Sequence, residues 1–336
     1  MIRVWVGHLA IALCCAGAMG LYACKKRQPD VPPAPSIRIQ ATPALVKRGE
    51  YLATAVAACM DCHSHRDLNQ LAAPIKPGTF GGGGQRYGEE VGLPGTFYGK
   101  NLTPPALEDW TDGEIYRAIT AGIDKDDQPL FPLMPYLHYN TMDERDVYAI
   151  VAYLRTLTPI KNQVPPRESK MSPEEMLKAF PHEARPAPRP AETDSVAYGG
   201  YLVNVGHCIL CHSPMDKNGM IAGKEFSGGL ALAVPTGTVY STNLTPDRET
   251  GLGNWTADLF VARFKQFAKE NYKPHEVEAG GFNTVMQWTA YGNMTESDLK
   301  AIYAYLRSLK PVPNRVPAFQ PRGSQTPPGI PAPANN

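Results

Sequence analysis

Two short runs of the chain read Cys-x-x-Cys-His: Cys59-Met60-Asp61-Cys62-His63 and Cys208-Ile209-Leu210-Cys211-His212. At the chain's own residue frequencies one such run is expected about 0.003 times by chance, so two of them mark a purpose. The other three cysteines, Cys14, Cys15 and Cys24, all lie near the N-terminus. Whatever the chain folds into must present two thiols and an imidazole on one short segment, twice.

Three ordinary uses of paired cysteines explain the pattern poorly. A disulfide or a thioredoxin-like redox pair gives no reason for the histidine after both pairs, and zinc ribbons set their two cysteine pairs some 15 to 20 residues apart. Covalent haem attachment explains every member: two thiols add to the two vinyl groups of one haem as thioethers, and the following histidine turns its imidazole onto the iron. The reading implies two covalently bound haem c groups, held by Cys59, Cys62 and His63 and by Cys208, Cys211 and His212.

An internal repeat surrounds the two runs. Gly49-Glu50-Tyr51-Leu52 echoes Gly199-Gly200-Tyr201-Leu202, Asn101-Leu102-Thr103-Pro104 returns as Asn243-Leu244-Thr245-Pro246, and Trp110-Thr111 as Trp255-Thr256. Phe80-Gly81-Gly82-Gly83 aligns with Phe226-Ser227-Gly228-Gly229, and Tyr153-Leu154-Arg155 with Tyr305-Leu306-Arg307, in the same order. Two copies of one domain follow, over 45–160 and 195–312. Each copy predicts three helices. The first leads into the haem run (Lys47 to Cys59; Tyr198 to Cys208). The second runs from Trp110 to about Ala121, opened by the capping box Thr111-x-x-Glu114 and closed at Gly122, with Trp255 to Phe267 as its counterpart. The third is capped by Thr141-x-x-Glu144 in one copy and Asn293-x-x-Glu296 in the other, and stopped by Pro159 and Pro311. Residues 161–194 read as a linker in which Ser172-Pro173-Glu174-Glu175 opens a short helix. Residues 313–336 read as a Pro-rich tail.

A low-spin electron carrier takes a sixth iron ligand from the protein, and a thioether raises the potential. Met134 lies 71 residues after His63 and Met286 lies 74 after His212. They are the aligned pair, and Pro135 after one is Gln287 after the other. Met142 and Met294 also align but fall in the helix-capping sequences, where core contact is the ordinary role. His65, His138, His182, His207 and His275 compete as ligands, yet none recurs at an equivalent place. The Gly81 to Gly84 run lacks the strand, spacing and acidic partner of a dinucleotide fingerprint and reads as a loop passing close to the haem edge. Trp110 and Trp255 either hydrogen-bond a propionate or fill the core.

Composition fits such loops: 33 prolines and 30 glycines in 336 residues beside 43% hydrophobic ones. The net charge of +1 offers no basic excess for a nucleic-acid partner. Residues 1–24 form a leader, with Val4 to Ala23 almost wholly apolar, Arg3 before it and Lys25, Lys26 and Arg27 after it. That is the layout of an export signal or a membrane anchor. Leu21-Tyr22-Ala23-Cys24 resembles a bacterial lipobox, so the leader is expected to place the protein on the periplasmic side, anchored by lipid on Cys24 or by an N-terminal helix. Residues 25–44 read as a Pro-rich spacer from the membrane.

On these residues the chain resembles a dihaem cytochrome c built from two class I domains, over 45–160 and 195–312. The wider pattern is Gly-Glu-Tyr-Leu before Cys59, then Asn-Leu-Thr-Pro and Trp-Thr, then Leu-Met-Pro-Tyr before a Tyr-Leu-Arg helix. It is similar to cytochrome subunits of periplasmic alcohol and sugar-acid dehydrogenases, which usually have three such domains where this chain has two. The resemblance implies a mostly α fold wrapped around each haem, with His63 and Met134 on one iron and His212 and Met286 on the other. The implied function is relay of single electrons in a periplasmic respiratory chain. The implied partners are redox proteins (a dehydrogenase or quinol oxidant, a terminal oxidase or a soluble cytochrome), with the membrane reached through the N-terminus. The alternative is a dihaem enzyme, peroxidase-like or a sulfur-compound oxidoreductase, with one open iron site and no catalytic side chain yet assigned.

Overall fold

The computed structural model describes residues 31–216 and 219–324; the leader, Cys24 and the end of the tail lie outside the described residues. In the first half, α1 (Pro43–Tyr51) runs through a wider-wound segment, Leu52–Val56, towards α2 (Cys59–Cys62). Strands β1 (Arg86–Tyr87) and β2 (Gly95–Tyr98) follow, then α3 (Pro104–Leu107), α4 (Asp112–Ala121), α5 (Tyr136–Tyr139) and α6 (Glu144–Leu154). The connecting segment holds β3 (Glu168–Ser169) and α7 (Pro173–Ala179). The second half runs α8 (Ser195–Val205), α9 (Cys208–Cys211), β4 (Met215–Asp216), β5 (Gly219–Met220), β6 (Ala231–Val234), β7 (Gly237–Tyr240), α10 (Ala257–Lys265), α11 (Trp288–Tyr291), α12 (Glu296–Ser308) and β8 (Phe319–Pro321). The molecule is helix-rich with small antiparallel sheets.

The helix pair α1/α6 recurs as α8/α12, and both crossings are set by one missing side chain. A Cβ on Gly49 would sit 1.8 Å from the Ala149 carbonyl oxygen, and one on Gly199 would sit 1.9 Å from that of Ala301. Only glycine lets the backbones approach so closely, which is why the Gly-x-Tyr-Leu echo marks both copies. Around these crossings Leu52, Val147 and Val151 in one half and Leu202, Leu299 and Leu306 in the other are almost wholly buried, and the apolar core continues across both halves.

Helix α4 keeps its expected ends: Thr111 and Glu114 form the capping box, and Gly122 closes it in the left-handed conformation. The final helices start later than expected. Asp143, bonded to Arg145 N, caps α6, and Thr295, bonded to Asp298 N, caps α12, so the boxes expected at Thr141 and Asn293 do not form. Asn293 instead accepts from Lys269 N at 3.0 Å. Helix α7 forms with its Ser172–Glu175 box and buries Met176 completely.

Both segments that follow the last helices are structural. Strand β3 pairs with β2 (Gly95↔Ser169), and β8 pairs with β7 in the same register (Gly237↔Pro321). Thus residues 319–321 of the expected tail complete a sheet of the second half. Within the expected spacer, Val31 is buried, the Pro32 carbonyl accepts from Arg117 and Ile39 N donates to Asp112, so this stretch lies along α4.

The halves meet through reciprocal bonds. Tyr201 Oη donates to Asp146 Oδ2 at 2.7 Å, and its counterpart Tyr51 donates to Asp298, the counterpart of Asp146. Asp146 is nearly inaccessible and also accepts from Arg48 (2.8 and 3.0 Å) and Arg189 (2.9 Å). Burial pushes its carboxyl up, but the Arg48 fork, the Tyr201 hydroxyl and Arg189 outweigh that and hold it below the ordinary carboxylate range. A carboxyl depressed in the folded state stabilises fully above its unfolded value of about 4 and loses that contribution as the pH falls through the folded value. Asp146→Asn should therefore lower stability at neutral pH by about 3 kcal/mol. In thermal unfolding followed from pH 7 downward, the gap to the parent should close in acid; a gap independent of pH would refute this role.

Candidate functional site

The approach to each cysteine pair is broken by one left-handed residue. Ala58 (φ 48°) ends the run from α1, and His207 (φ 42°) holds the same place after α8. The helix expected to run unbroken from Lys47 to Cys59 thus gives way to a fresh turn. This costs some strain in a residue with a Cβ, and it redirects the chain so that the one-turn helices α2 and α9 begin at Cys59 and Cys208. His63 N and His212 N each donate to the first cysteine's carbonyl at 3.0 Å.

Both imidazoles are then fixed by one bond. His63 Nδ1 lies 2.7 Å from the Lys100 carbonyl oxygen and His212 Nδ1 lies 2.8 Å from that of Thr242. A carbonyl only accepts, so Nδ1 carries the proton and Nε2 keeps its lone pair for a metal. Burial lowers the proton affinity of both rings, which favours this neutral form. The next residue in each case is an asparagine that ties the carbonyl in place. Asn101 accepts from Thr103 N (2.9 Å) and Thr103 Oγ1 (2.7 Å) and donates to Ile160 O (2.8 Å). Asn243 repeats this with Thr245 N (2.9 Å), Thr245 Oγ1 (2.8 Å) and Val312 O (2.8 Å).

The glycine-rich loop closes the knot, in a register one residue away from that of the sequence alignment. Gly83 N and Gly228 N each donate to the carbonyl of the motif histidine at 2.8 Å, while Gly81 N and Phe226 N donate to Ser64 and Ser213. Gly81 therefore corresponds to Phe226, not to Ser227, and Phe226 adopts the left-handed conformation (φ 62°) that Gly81 adopts freely (φ 74°). At Gly83 a Cβ would sit 2.5 Å from Asn101 N, so the loop passes directly against the knot.

All four motif thiols are free. Cys59, Cys62 and Cys208 are half-buried and Cys211 is exposed. Burial, with the neighbouring thiol adding to it, pushes Cys59 and Cys208 up to about 12. Thiols so raised are poor nucleophiles, unlike those of a dithiol redox pair. Among the described residues no three His, Cys, Asp or Glu side chains converge as a metal cage would require. Two thiols and an imidazole with a free Nε2 on one short segment fit a haem held by thioether bonds and ligated by nitrogen.

The two sites are neighbours. Cys62 in the first half helps raise Cys211 in the second, and the buried Tyr291 feels Cys208, Cys211, Tyr139 and Asp61 together. Tyr139 and Tyr291 are counterparts: their hydroxyls donate to Ala57 O (3.3 Å) and Gly206 O (2.9 Å), the second residue before each cysteine pair. His207 faces Tyr139 edge-on, with ring centroids 6.4 Å apart.

Met134 and Met286 occupy matching turns. Each carbonyl accepts from the amide two residues on at 2.7 Å, and the residue between has nearly one conformation whether Pro135 (φ −78°, ψ 45°) or Gln287 (φ −75°, ψ 49°). The substitution leaves the loop geometry unchanged. Both methionines are half-buried, whereas Met142 and Met294 lie wholly in the core. Of the other histidines, His138 bonds Asn204 (3.0 Å), His182 stacks on Tyr136 and bonds the Ala121 carbonyl (2.8 Å), His65 and His275 are exposed, and His207 precedes Cys208. Trp110 and Trp255 pack partly buried against the core. The echo Gly95-Thr96-Phe97-Tyr98 with Gly237-Thr238-Val239-Tyr240, which carries β2 and β7, is a repeat the sequence reading passed over although its spacing to the asparagine was visible.

The chain is similar to named proteins. It is 31% identical over 290 residues (80% of this chain, 57% of the relative) to the cytochrome c subunit of a quinone alcohol dehydrogenase from Gluconacetobacter polyoxogenes. It is 29% identical over 288 residues (80% and 60%) to the gluconate 2-dehydrogenase cytochrome c subunit of Pantoea cypripedii. Both relatives are longer, and the chain spans less than two thirds of either. It is 26% identical over 339 residues to a diheme cytochrome c-type protein of Cereibacter sphaeroides, matching 95% of this chain and all of that one. No protein-family model matches the chain. The resemblance expected from the motifs therefore holds along most of the sequence.

The asparagine knot is open to test. Asn243→Ala removes four side-chain hydrogen bonds, to Thr245 N, Thr245 Oγ1, Val312 O and Thr250 Oγ1, and should lower stability by about 2 kcal/mol, read from the thermal midpoint. An unchanged midpoint would show that the knot holds nothing.

Proposed function

We propose that this chain is a dihaem c-type cytochrome that relays single electrons on the periplasmic side, from a dehydrogenase or quinol oxidant to an oxidase or soluble cytochrome. The observation that carries the reading is the repeated site: free thiols on a one-turn helix, an imidazole whose Nε2 is left available by its Nδ1 bond, and a methionine turn in matching geometry. Similarity to dehydrogenase cytochrome subunits and, end to end, to a diheme cytochrome supports it.

In this reading two tandem class I domains, 45–160 and 195–312 with their strap strands, each enclose one haem. The haem supplies one-electron exchange at iron. The chain would supply the rest: Cys59, Cys62, Cys208 and Cys211 would hold the haems by thioether bonds, His63 and His212 offer Nε2 to the iron, and Met134 and Met286 would each offer a thioether as the second protein ligand. With a histidine and a methionine both committed to each iron, no coordination position would be left for a substrate, and the sites would pass electrons. The reciprocal Tyr–Asp bonds hold the two sites side by side, which favours passage between them. Among the described residues no helix is long and apolar enough to cross a membrane, so anchoring falls to the leader, by an N-terminal helix or by lipid on Cys24. Relatives named as dehydrogenase subunits favour a dehydrogenase as electron donor.

Purified holo-protein should carry two haems per chain, and its reduced spectrum should not change under carbon monoxide. Ready binding of the gas by one haem would replace the relay with the alternative of an enzyme having one open iron. Met134→Ala and Met286→Ala should each lower one of two midpoint potentials and leave the other in place. An unchanged titration would remove the substituted residue from the ligand set.

A further inference from the structure

The two methionine turns are alike, but the loops that carry them are braced in different ways. The first loop is held by its own half and the connecting segment. Leu130 N bonds Gly122 O (2.6 Å), Arg117 bonds Asp127 (2.8 Å), Arg167 reaches Pro129 O (2.5 Å), and Phe131 packs between Phe97 and Phe180 at 4.7 and 5.9 Å. The second loop, 268–286, lies against residues 66–73 of the other half, just beyond the first Cys-x-x-Cys-His run. Leu71 N donates to His275 O (3.0 Å), Val277 N donates to Asn69 O (2.9 Å), and Tyr272 Oη donates to Leu71 O.

Two side chains fix this clasp. Asn283, 1% exposed and three residues before Met286, uses its whole amide. Oδ1 accepts from Ala72 N (3.1 Å) and Thr284 N (2.7 Å), and Nδ2 donates to Leu68 O (2.8 Å) and Gln70 O (3.2 Å). Arg66 donates to Ala73 O (2.8 Å) and Ala72 O (3.0 Å) in its own loop and crosses to Val285 O (3.0 Å), the residue before Met286. Ala72 and Ala73 are fully buried and both left-handed (φ 58° and 45°), a conformation alanines hold only where the surroundings over-determine it. The counterpart of the clasp in the second half is the β4–β5 hairpin, which pairs with itself.

We infer that Arg66 and Asn283 are positioning residues for Met286, so that the loop leading into the distal ligand of the second site is set by the first half, whereas the loop leading into Met134 is held by its own half and the connecting segment, the second half reaching only the turn after it through Asn204 and His138. The inference rests on the reading of Met286 as an iron ligand. It makes the second site conditional on a well-formed first half, and it places the backbone next to one haem run in direct mechanical contact with the ligand loop of the other.

The test uses full-length holo-protein carrying Asn283→Ala, or Arg66→Lys, which keeps the charge beside Asp61 and loses the fork should the first variant fail to load haem. Met286→Ala is measured alongside. The expected result is that half of the haem becomes reactive to carbon monoxide and half of the thioether-to-iron charge-transfer absorption is lost. Only the potential that Met286→Ala lowers should move. Variants that match the parent in all three readouts while Met286→Ala does not would overturn the inference, as would equal disturbance of both potentials. If Met286→Ala itself changes nothing, the ligand reading is what fails.

Discussion

One bond from an imidazole Nδ1 to a backbone carbonyl, made twice, is what the remaining architecture serves. It selects the tautomer, aims Nε2 and sets the ring plane, and a carbonyl can do this only if it cannot move. Lys100 and Thr242 lie in loops with no helix to stiffen them. Rigidity comes from the asparagine after each, from the threonine two residues further on, and from the strap at Ile160 or Val312 that both side chains grip. The straps continue into β3 and β8. The chain beyond the last helix of each half therefore belongs to the site, through the asparagine and threonine that it anchors.

The glycine-packed helix crossings place the pairs of sites relative to each other. Because Tyr51 and Tyr201 follow the crossing glycines by two residues, their hydroxyls emerge toward the partner half and find Asp298 and Asp146. One repeated tetrapeptide thus does two tasks, close packing within a half and a polar latch between halves. The latch is buried and charge-assisted, the class of bond that sets a unique arrangement more than it adds net stability.

Much of this was legible in the residues. The Cys-x-x-Cys-His runs, the ordered echoes, the Thr111 and Ser172 capping boxes and the pairing of Met134 with Met286 all rest on local spacing, which a sequence displays. What was not legible rests on competition between neighbours or on distant partners. Thr141 and Asn293 look like caps, but Asp143 and Thr295, two residues on, also have cap chemistry and win because Thr141 and Asn293 still belong to the turns that close the short helices α5 and α11. The glycine loop aligned one residue off because Phe226 adopts a left-handed conformation that sequence assigns to glycine. Proline-rich segments read as spacer and tail, since strand pairing at β8 and packing along α4 depend on surfaces that exist only once the halves have folded.

The asymmetry of the clasp has the same origin. Duplication explains the two similar sites, but the segment after each run is one place where the copies diverge: in the first half residues 66–73 pass through two buried left-handed alanines, Ala72 and Ala73, and clasp the other half, whereas in the second half β4 and β5 pair with each other. A bridge built from main-chain bonds leaves almost no sequence signature beyond Arg66 and Asn283, whose polar groups must be buried to act. Divergence in such segments lets two copies of one domain keep equivalent knots around their motif histidines while their methionine loops answer to different parts of the molecule, a route by which one repeated fold makes two like sites unequal.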